Sequence, residues 1–142
     1  MSDFKPLDKP HESWRDVLEP ERFAILFEEA TERAGTSPLN GEKRPGTFIC
    51  AACHLPLFES AGKYDSGTGW PSFFRPIDPA RIATKKDFRL LMPRTEYHCA
   101  RCGGHQGHVF GDGPAPTGQR YCNNGLALKF IPEGEALPPL RD

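Results

Sequence analysis

Cys50-Ala51-Ala52-Cys53 and Cys99-Ala100-Arg101-Cys102 decide how this chain is read. Each is a CxxC turn, which aims two sulfurs at one point. Two such turns from distant parts of a chain can close four thiolates tetrahedrally around one ion. Gly103 and Gly104 follow the second turn, and glycine there lets backbone N–H groups swing toward the sulfurs. The chain holds five cysteines, so one is left over: Cys122, inside Gly118-Gln119-Arg120-Tyr121-Cys122-Asn123-Asn124-Gly125. A structural metal and a lone nucleophile is the division this implies.

Other chemistries share the spacing. Cys50 to His54 also matches the CxxCH of c-type haem attachment. That needs an oxidising compartment and often an axial methionine, and Met92 is the only internal one. A thioredoxin-type redox pair wants a βαβ setting and leaves the second turn unexplained. Iron in a rubredoxin-like site keeps the same Cys₄ geometry as zinc. Zinc is the expected ion, one per chain, on Cys50, Cys53, Cys99 and Cys102.

At 142 residues the chain fits one domain. A loose arm over 1–10, with Pro6 and Pro10, precedes a single domain over 11–142. No apolar stretch approaches the length of a membrane span or signal core. Net charge is −1 without a basic run, which argues against nucleic acid or an anionic membrane as partner. A cytoplasmic chain is expected, with thiols kept reduced.

The 14 glycines and 15 prolines favour short elements and many turns. Ser13 to Val17 suits a short helical turn. Pro20 suits the opening of a helix of about three turns, packed through Phe23, Ala24, Phe27 and Ala30. Gly35 to Gly46 is rich in turn signals. Beyond it come strand-like runs at Thr47–Ile49, Phe88–Met92, Thr95–His98, His108–Phe110 and Leu126–Ile131. A mainly β body with an amino-terminal helical lead-in follows.

Of five histidines, His11 and His54 read as surface residues and His98 as a packing residue. His105-Gln106-Gly107-His108 differs, being a pair flanked by glycine between a metal turn and a strand. It suits two imidazoles over a pocket, moving protons near neutral pH; a satisfied core His108, or a second metal site, reads from the same residues. In Asp65-Ser66-Gly67-Thr68-Gly69-Trp70-Pro71-Ser72-Phe73-Phe74, the glycines allow unusual backbone angles and Trp70 is held stiffly by Pro71. The aromatics there serve equally as core or as a slot for a small apolar group.

Taken together, these segments resemble the methionine-R-sulfoxide reductases of the MsrB family. The likeness rests on both CxxC turns, on Lys63 to Phe73, on His105-Gln106-Gly107-His108-Val109-Phe110 with Asp112-Gly113-Pro114, and on Arg120-Tyr121-Cys122-Asn123-Asn124. The resemblance implies two antiparallel β-sheets with peripheral helices and a structural zinc remote from the catalytic cysteine. It implies that Cys122 attacks the sulfur of a methionine (R)-sulfoxide, with His105 and His108 as proton source. Arg120 and Asn124 would organise water and polarise the site, and Arg120 would favour the thiolate. Trp70 would pack on the substrate methyl, with Phe110 also in the binding site. Cys122 would end as a sulfenic acid, reduced by thioredoxin or by glutathione with glutaredoxin.

Several positions depart from that family's pattern. Many relatives have Ile or Val at Asn123, Ser at Gly125 and Leu at Gln106. Many also place a recycling cysteine where this chain has Thr68. A non-catalytic zinc-dependent binding module is the rival reading. It would need the CxxC turns but not Cys122, Trp70 or the histidine pair.

Overall fold

Short β-prone runs separated by glycine and proline turns give nine strands among the described residues. The computed structural model of the protein describes residues 4–88 and 92–142. The first sheet has three strands: β1 (Gly46–Cys50) in the middle, with β2 (Pro56–Glu59) and β9 (Leu128–Pro132) on either side. The second has six: β3 (Lys63–Tyr64), β4 (Ser72–Phe73), β5 (Ile82–Asp87), β6 (Arg94–Cys99), β7 (His105–Phe110) and β8 (Arg120–Asn123). Their order is β3-β4-β8-β7-β6-β5, and all pairings in both sheets are antiparallel. The chain is mainly β in two antiparallel sheets, as expected.

Aromatic rings join the sheets. Phe48 and Phe58, paired across β1 and β2, meet Phe73 of β4 and Tyr97 of β6. Phe58 stacks on Phe73 with ring centroids 4.2 Å apart. All four are fully buried, and each such side chain contributes about 1.5–3 kcal/mol by leaving water.

The helix α1 (Pro20–Phe27) opens at proline but has eight residues, shorter than the three turns expected. Glu29 adopts a left-handed φ of 56°, and Ala30 N bonds back to Ala24 O at 3.0 Å, which closes the helix. Its buried face is Phe23, Ile25 and Leu26; Ala24, Phe27 and Ala30 are only half-buried. In residues 4–10, Leu7 N donates to Arg101 O at 2.7 Å and the Lys9 ammonium lies 3.8 Å from the Trp14 ring.

Four of the expected strand runs fall in β1, β6, β7 and β9, although Gly125–Ala127 forms a 3₁₀ turn before β9. The run Phe88–Met92 does not hold at its ends: Phe88 and Met92 are in no strand and are 72% and 74% exposed, while residues 89–91 lie outside the described residues. No helix among the described residues is long and apolar enough to cross a membrane.

Candidate metal centre and active site

Backbone geometry brings the two CxxC turns together. Cys50 ends β1 and Cys99 ends β6, so each strand carries a first ligand into its turn. Cys50 and Cys102 sulfurs are 3.6 Å apart, as are those of Cys53 and Cys99. All four Sγ atoms lie within 4.8 Å of one another and are buried. A tetrahedral ion with metal–sulfur bonds of about 2.3 Å sets its sulfurs roughly 3.8 Å apart, so the donor set fits zinc in kind and spacing. Gly104 N donates to Cys102 Sγ at 3.4 Å and Gln106 Nε2 to Cys50 Sγ at 3.5 Å. Arg141 buckles the first turn from outside, Nε to Ala52 O at 2.8 Å and Nη2 to Ala51 O at 2.9 Å. Mutual hydrogen bonds among the four sulfurs push the Cys53 thiol down and the Cys50 thiol up.

The second candidate site is laid out by register. Tyr64 faces Ser72, Ser72 faces Cys122, Cys122 faces His108, His108 faces Glu96 and Glu96 faces Lys85. Directly paired residues share one face of a sheet. One row across six strands therefore puts a thiol, an imidazole, a carboxylate and an ammonium on the same side. The opposite face supplies the core, through Phe73 and Tyr97.

His105 stands three residues from His108, a separation that would send the two side chains to opposite faces of a regular strand. The ladder slips between them: Tyr97 pairs with Gly107 but His98 with His105, so Gln106 is the extra residue of a bulge. Both imidazoles consequently line one pocket with Cys122, their centroids 5.7 Å apart. Gly107 permits this close packing, since a Cβ there would come within 2.0 Å of Cys122 O.

The pocket measures about 160 Å³, and Trp70, Phe110 and Arg120 line it together with the cysteine and both histidines. Trp70 is fixed by its indole N–H, which donates to Glu32 O at 2.8 Å. Gly67 and Gly69 flank Thr68 with φ of 73° and 93°, the unusual angles expected of this turn. His108 Nε2 lies 2.8 Å from Asp87 Oδ2, which also accepts from Arg94 Nη2 at 3.1 Å. His105 Nδ1 lies 3.1 Å from Glu96 Oε1. Burial pushes the His105 pKa down in spite of Glu96, which favours the neutral ring.

Burial raises the Cys122 thiol, while a hydrogen bond with Thr68 and the charge of Arg120 pull it down less strongly. Arg120 thus acts in the direction read from sequence, but desolvation outweighs it. Its guanidinium is also forked onto Asp112 at 2.9 and 3.1 Å and sits 4.3 Å from the Phe110 ring centroid.

Residues 18–132 match the SelR domain family. The chain is 48% identical over 130 residues to the peptide methionine sulfoxide reductase MsrB of Pseudomonas putida (strain W619), covering 92% of this chain and 98% of that protein. The chain belongs to the MsrB family. Similar proteins of the same name occur in Methanosarcina barkeri (strain Fusaro / DSM 804), 47% identical over 92% of each chain, and Saccharophagus degradans (strain 2-40 / ATCC 43961 / DSM 17024), 50% identical over 94% of this chain and 98% of that one.

In this MsrB-family chain the candidate residues converge with one qualification. Cys122, His105, His108, Arg120, Trp70, Phe110 and Asn124 all line the pocket. Asn124, however, uses its amide on the scaffold: Oδ1 accepts from Glu32 N and Nδ2 donates to Gln106 O, both at 3.0 Å. Sequence reading missed the groups behind these residues. Buried Glu32 accepts from Gly125 N and Leu126 N as well as holding Trp70 through its carbonyl. Asp87, Arg94 and Glu96 sit behind the histidines on β5 and β6. Only the strand register, invisible without pairing partners, would have brought them forward.

Proposed function

We propose that Cys122 is the nucleophile in stereospecific reduction of methionine (R)-sulfoxide, carried by peptides or proteins, to methionine. The coarser statement, that this chain is a methionine sulfoxide reductase and so an oxidoreductase acting on sulfur, follows from its family. The observation that carries the finer reading is the pairing of Cys122 with His108 at the base of a pocket walled by Trp70 and Phe110.

The site's residues divide the work. Sulfoxide sulfur becomes electrophilic when its oxygen takes a proton, and the His105–His108 pair is positioned to supply one. Asp87 orients His108 by a hydrogen bond, and the Glu96 carboxylate lies 3.1 Å from His105 Nδ1 as a charge partner. Both carboxylates are buried and stabilise a ring that has gained a proton. Trp70, locked on Glu32, offers an apolar wall for the methyl group. Cys122 loses its proton and attacks sulfur; oxygen is transferred, methionine leaves and Cys122 remains as sulfenic acid. Because the resting thiol is raised by burial, substrate binding and proton transfer must accompany its ionisation. Arg120 and Thr68 stabilise the thiolate when it forms. Asn124 serves by holding the β7–β8 end and the Glu32 segment in place.

Thr68 occupies the place of a recycling thiol and lines the pocket with Cys122, so we read the reductant as external. Two thiols, from thioredoxin or from glutathione with glutaredoxin, convert the sulfenic acid back to thiol with release of water. Cys50, Cys53, Cys99 and Cys102 would hold one structural zinc, which contributes folding free energy and no step of the reaction. A reducing cytoplasm suits both sets of thiols. The rival binding module has no use for two buried acid–imidazole pairs beside a lone thiol.

Turnover of separated R and S epimers of dabsylated methionine sulfoxide tests the assignment. The R epimer is reduced and the S epimer is not; Cys122→Ser abolishes turnover while zinc content and folding persist, since a hydroxyl is a far weaker nucleophile and forms no sulfenic acid. Turnover in Cys122→Ser, or equal rates on both epimers, overturns it.

A further inference from the structure

A chain of buried polar groups runs from the metal cluster to the strand that holds Cys122. Gln106 Nε2 donates to Cys50 Sγ at 3.5 Å, and its Oε1 accepts from Asn123 Nδ2 at 3.1 Å. Asn123 Oδ1 accepts from Tyr97 OH at 2.6 Å, and Nδ2 also donates to Asn124 O at 2.9 Å. Gln106, Asn123 and Tyr97 are each fully buried. Their polar ends are therefore satisfied only by one another, by the Cys50 sulfur and by backbone.

The three sit where strand geometry would not bring them by accident. Gln106 is the extra residue of the bulge that puts His105 and His108 in one pocket. Its side chain points away from that pocket, toward the sulfur cluster. Asn123 follows Cys122 on β8, so their side chains leave opposite faces of the same strand. Two hydrogen bonds thus link Cys50, through Gln106, to the residue next to Cys122. Two amides in an otherwise apolar core cost stability unless both are bonded. Neither is used by the reaction described above.

We propose that Gln106 and Asn123 are positioning residues, a buried amide pair that ties the strand carrying Cys122 to the occupied metal centre. Gln106 Nε2 donates to Cys50 Sγ, so the amide pair is bonded directly to a residue of the metal cluster. The metal centre then sets the bulge, and the bulge sets the distance between the histidines and the thiol. The consequence for catalysis rests on Cys122 being the nucleophile. The pairing itself does not, and it is read here by measurements that need no turnover.

The experiment is a double-mutant cycle on the zinc-loaded protein with Gln106→Met, which keeps the shape and removes the amide, and Asn123→Val. Three quantities are read: thermal midpoint, zinc transfer to the chelator 4-(2-pyridylazo)resorcinol, and the rate of Cys122 alkylation by iodoacetamide. Each single change lowers the midpoint by several degrees, because a buried partner is left unbonded. The double variant loses clearly less than the two singles together. Loss of the Tyr97 acceptor accompanies both variants that lack Asn123, so it cancels in the cycle. Gln106→Met binds zinc about tenfold more weakly, as is typical when a group bonded to a ligand is removed. It also changes Cys122 alkylation at full zinc occupancy, although it never touches that thiol. Additive midpoints, or unchanged zinc transfer and alkylation in Gln106→Met, overturn the proposal. Should Gln106→Met fail to fold, the double variant carries the test, because removing both amides must recover the fold; failure of both overturns the pairing. Absence of sulfoxide reduction in wild type would bear on the reading of Cys122 alone.

Discussion

The two ends of the molecule solve opposite problems with the same amino acid. At the metal end four cysteines are shut away from water, and each is held by the turn in which it lies. At the proposed reaction end one cysteine lies half-buried on β8 with Arg120, and both histidines, Trp70 and Thr68 reach it from other strands or loops. Local spacing builds each half of the first, and the ends of β1 and β6 bring the halves together. The second exists only after six strands have found their register. A cluster defined by neighbours in sequence can serve as a fixed point, whereas a site defined by pairing depends on the whole sheet.

The sharpest way to break this contrast is to remove one cysteine from each end. Cys50→Ser is expected to lose zinc and fold together, since structural zinc sites contribute roughly 10 kcal/mol or more in finger peptides. Elemental analysis with far-ultraviolet circular dichroism reads this against Cys122→Ser, which keeps both. A folded, metal-free Cys50→Ser protein would show that the metal end is not the fixed point.

A second test asks whether the reaction end has a thiol partner of its own. After one turnover without reductant, dimedone should trap Cys122 as sulfenic acid in wild type, because the only thiols left are the four in the metal cluster. In Thr68→Cys the introduced thiol should attack that sulfenic acid and give a disulfide with loss of water. Mass spectrometry then finds about one disulfide per chain and little dimedone adduct. A disulfide from Cys122 to a metal-site cysteine in wild type, with zinc release, would merge the two ends that the fold keeps apart.

The smallest effect concerns His105, whose pKa is held down by burial. Below about pH 6.5 the unfolded chain takes up more protons at this position than the folded one. Its contribution to stability is therefore complete above that pH and is lost as pH falls toward the folded-state value. His105→Gln should accordingly lose about 2 °C less in thermal midpoint than wild type between pH 7 and pH 5.5. An identical loss in both proteins would mean that burial at this position is less costly to charge than its surroundings imply.

How much of this was legible in the sequence follows from the same contrast. Cys50, Cys53, Cys99 and Cys102 could be assembled from spacing alone, and the glycines around Thr68 announced their backbone angles. Strands with an exposed middle, such as β5 with Lys85 and Lys86, gave no alternating pattern to detect. Helix α1 was read one turn too long because nothing at Glu29 signals a left-handed residue. Asp87, Glu96 and Glu32 passed unnoticed, since a lone carboxylate in sequence looks like surface until its partner is known. Gln106 and Asn123, read separately as departures from the family's pattern, turn out to be bonded to each other.

The slip at Gln106 also has a consequence for how such sites are sought. Along a regular strand, residues that can act together are an even number of positions apart, and counting by twos is the natural filter. Here the two imidazoles of one pocket are three apart, and deleting the intervening residue that looks most dispensable would turn one of them through the sheet. A search of β-proteins for cooperating side chains that trusts parity will pass over every site built on an inserted residue. Allowing odd spacings next to a glycine would recover sites of this kind.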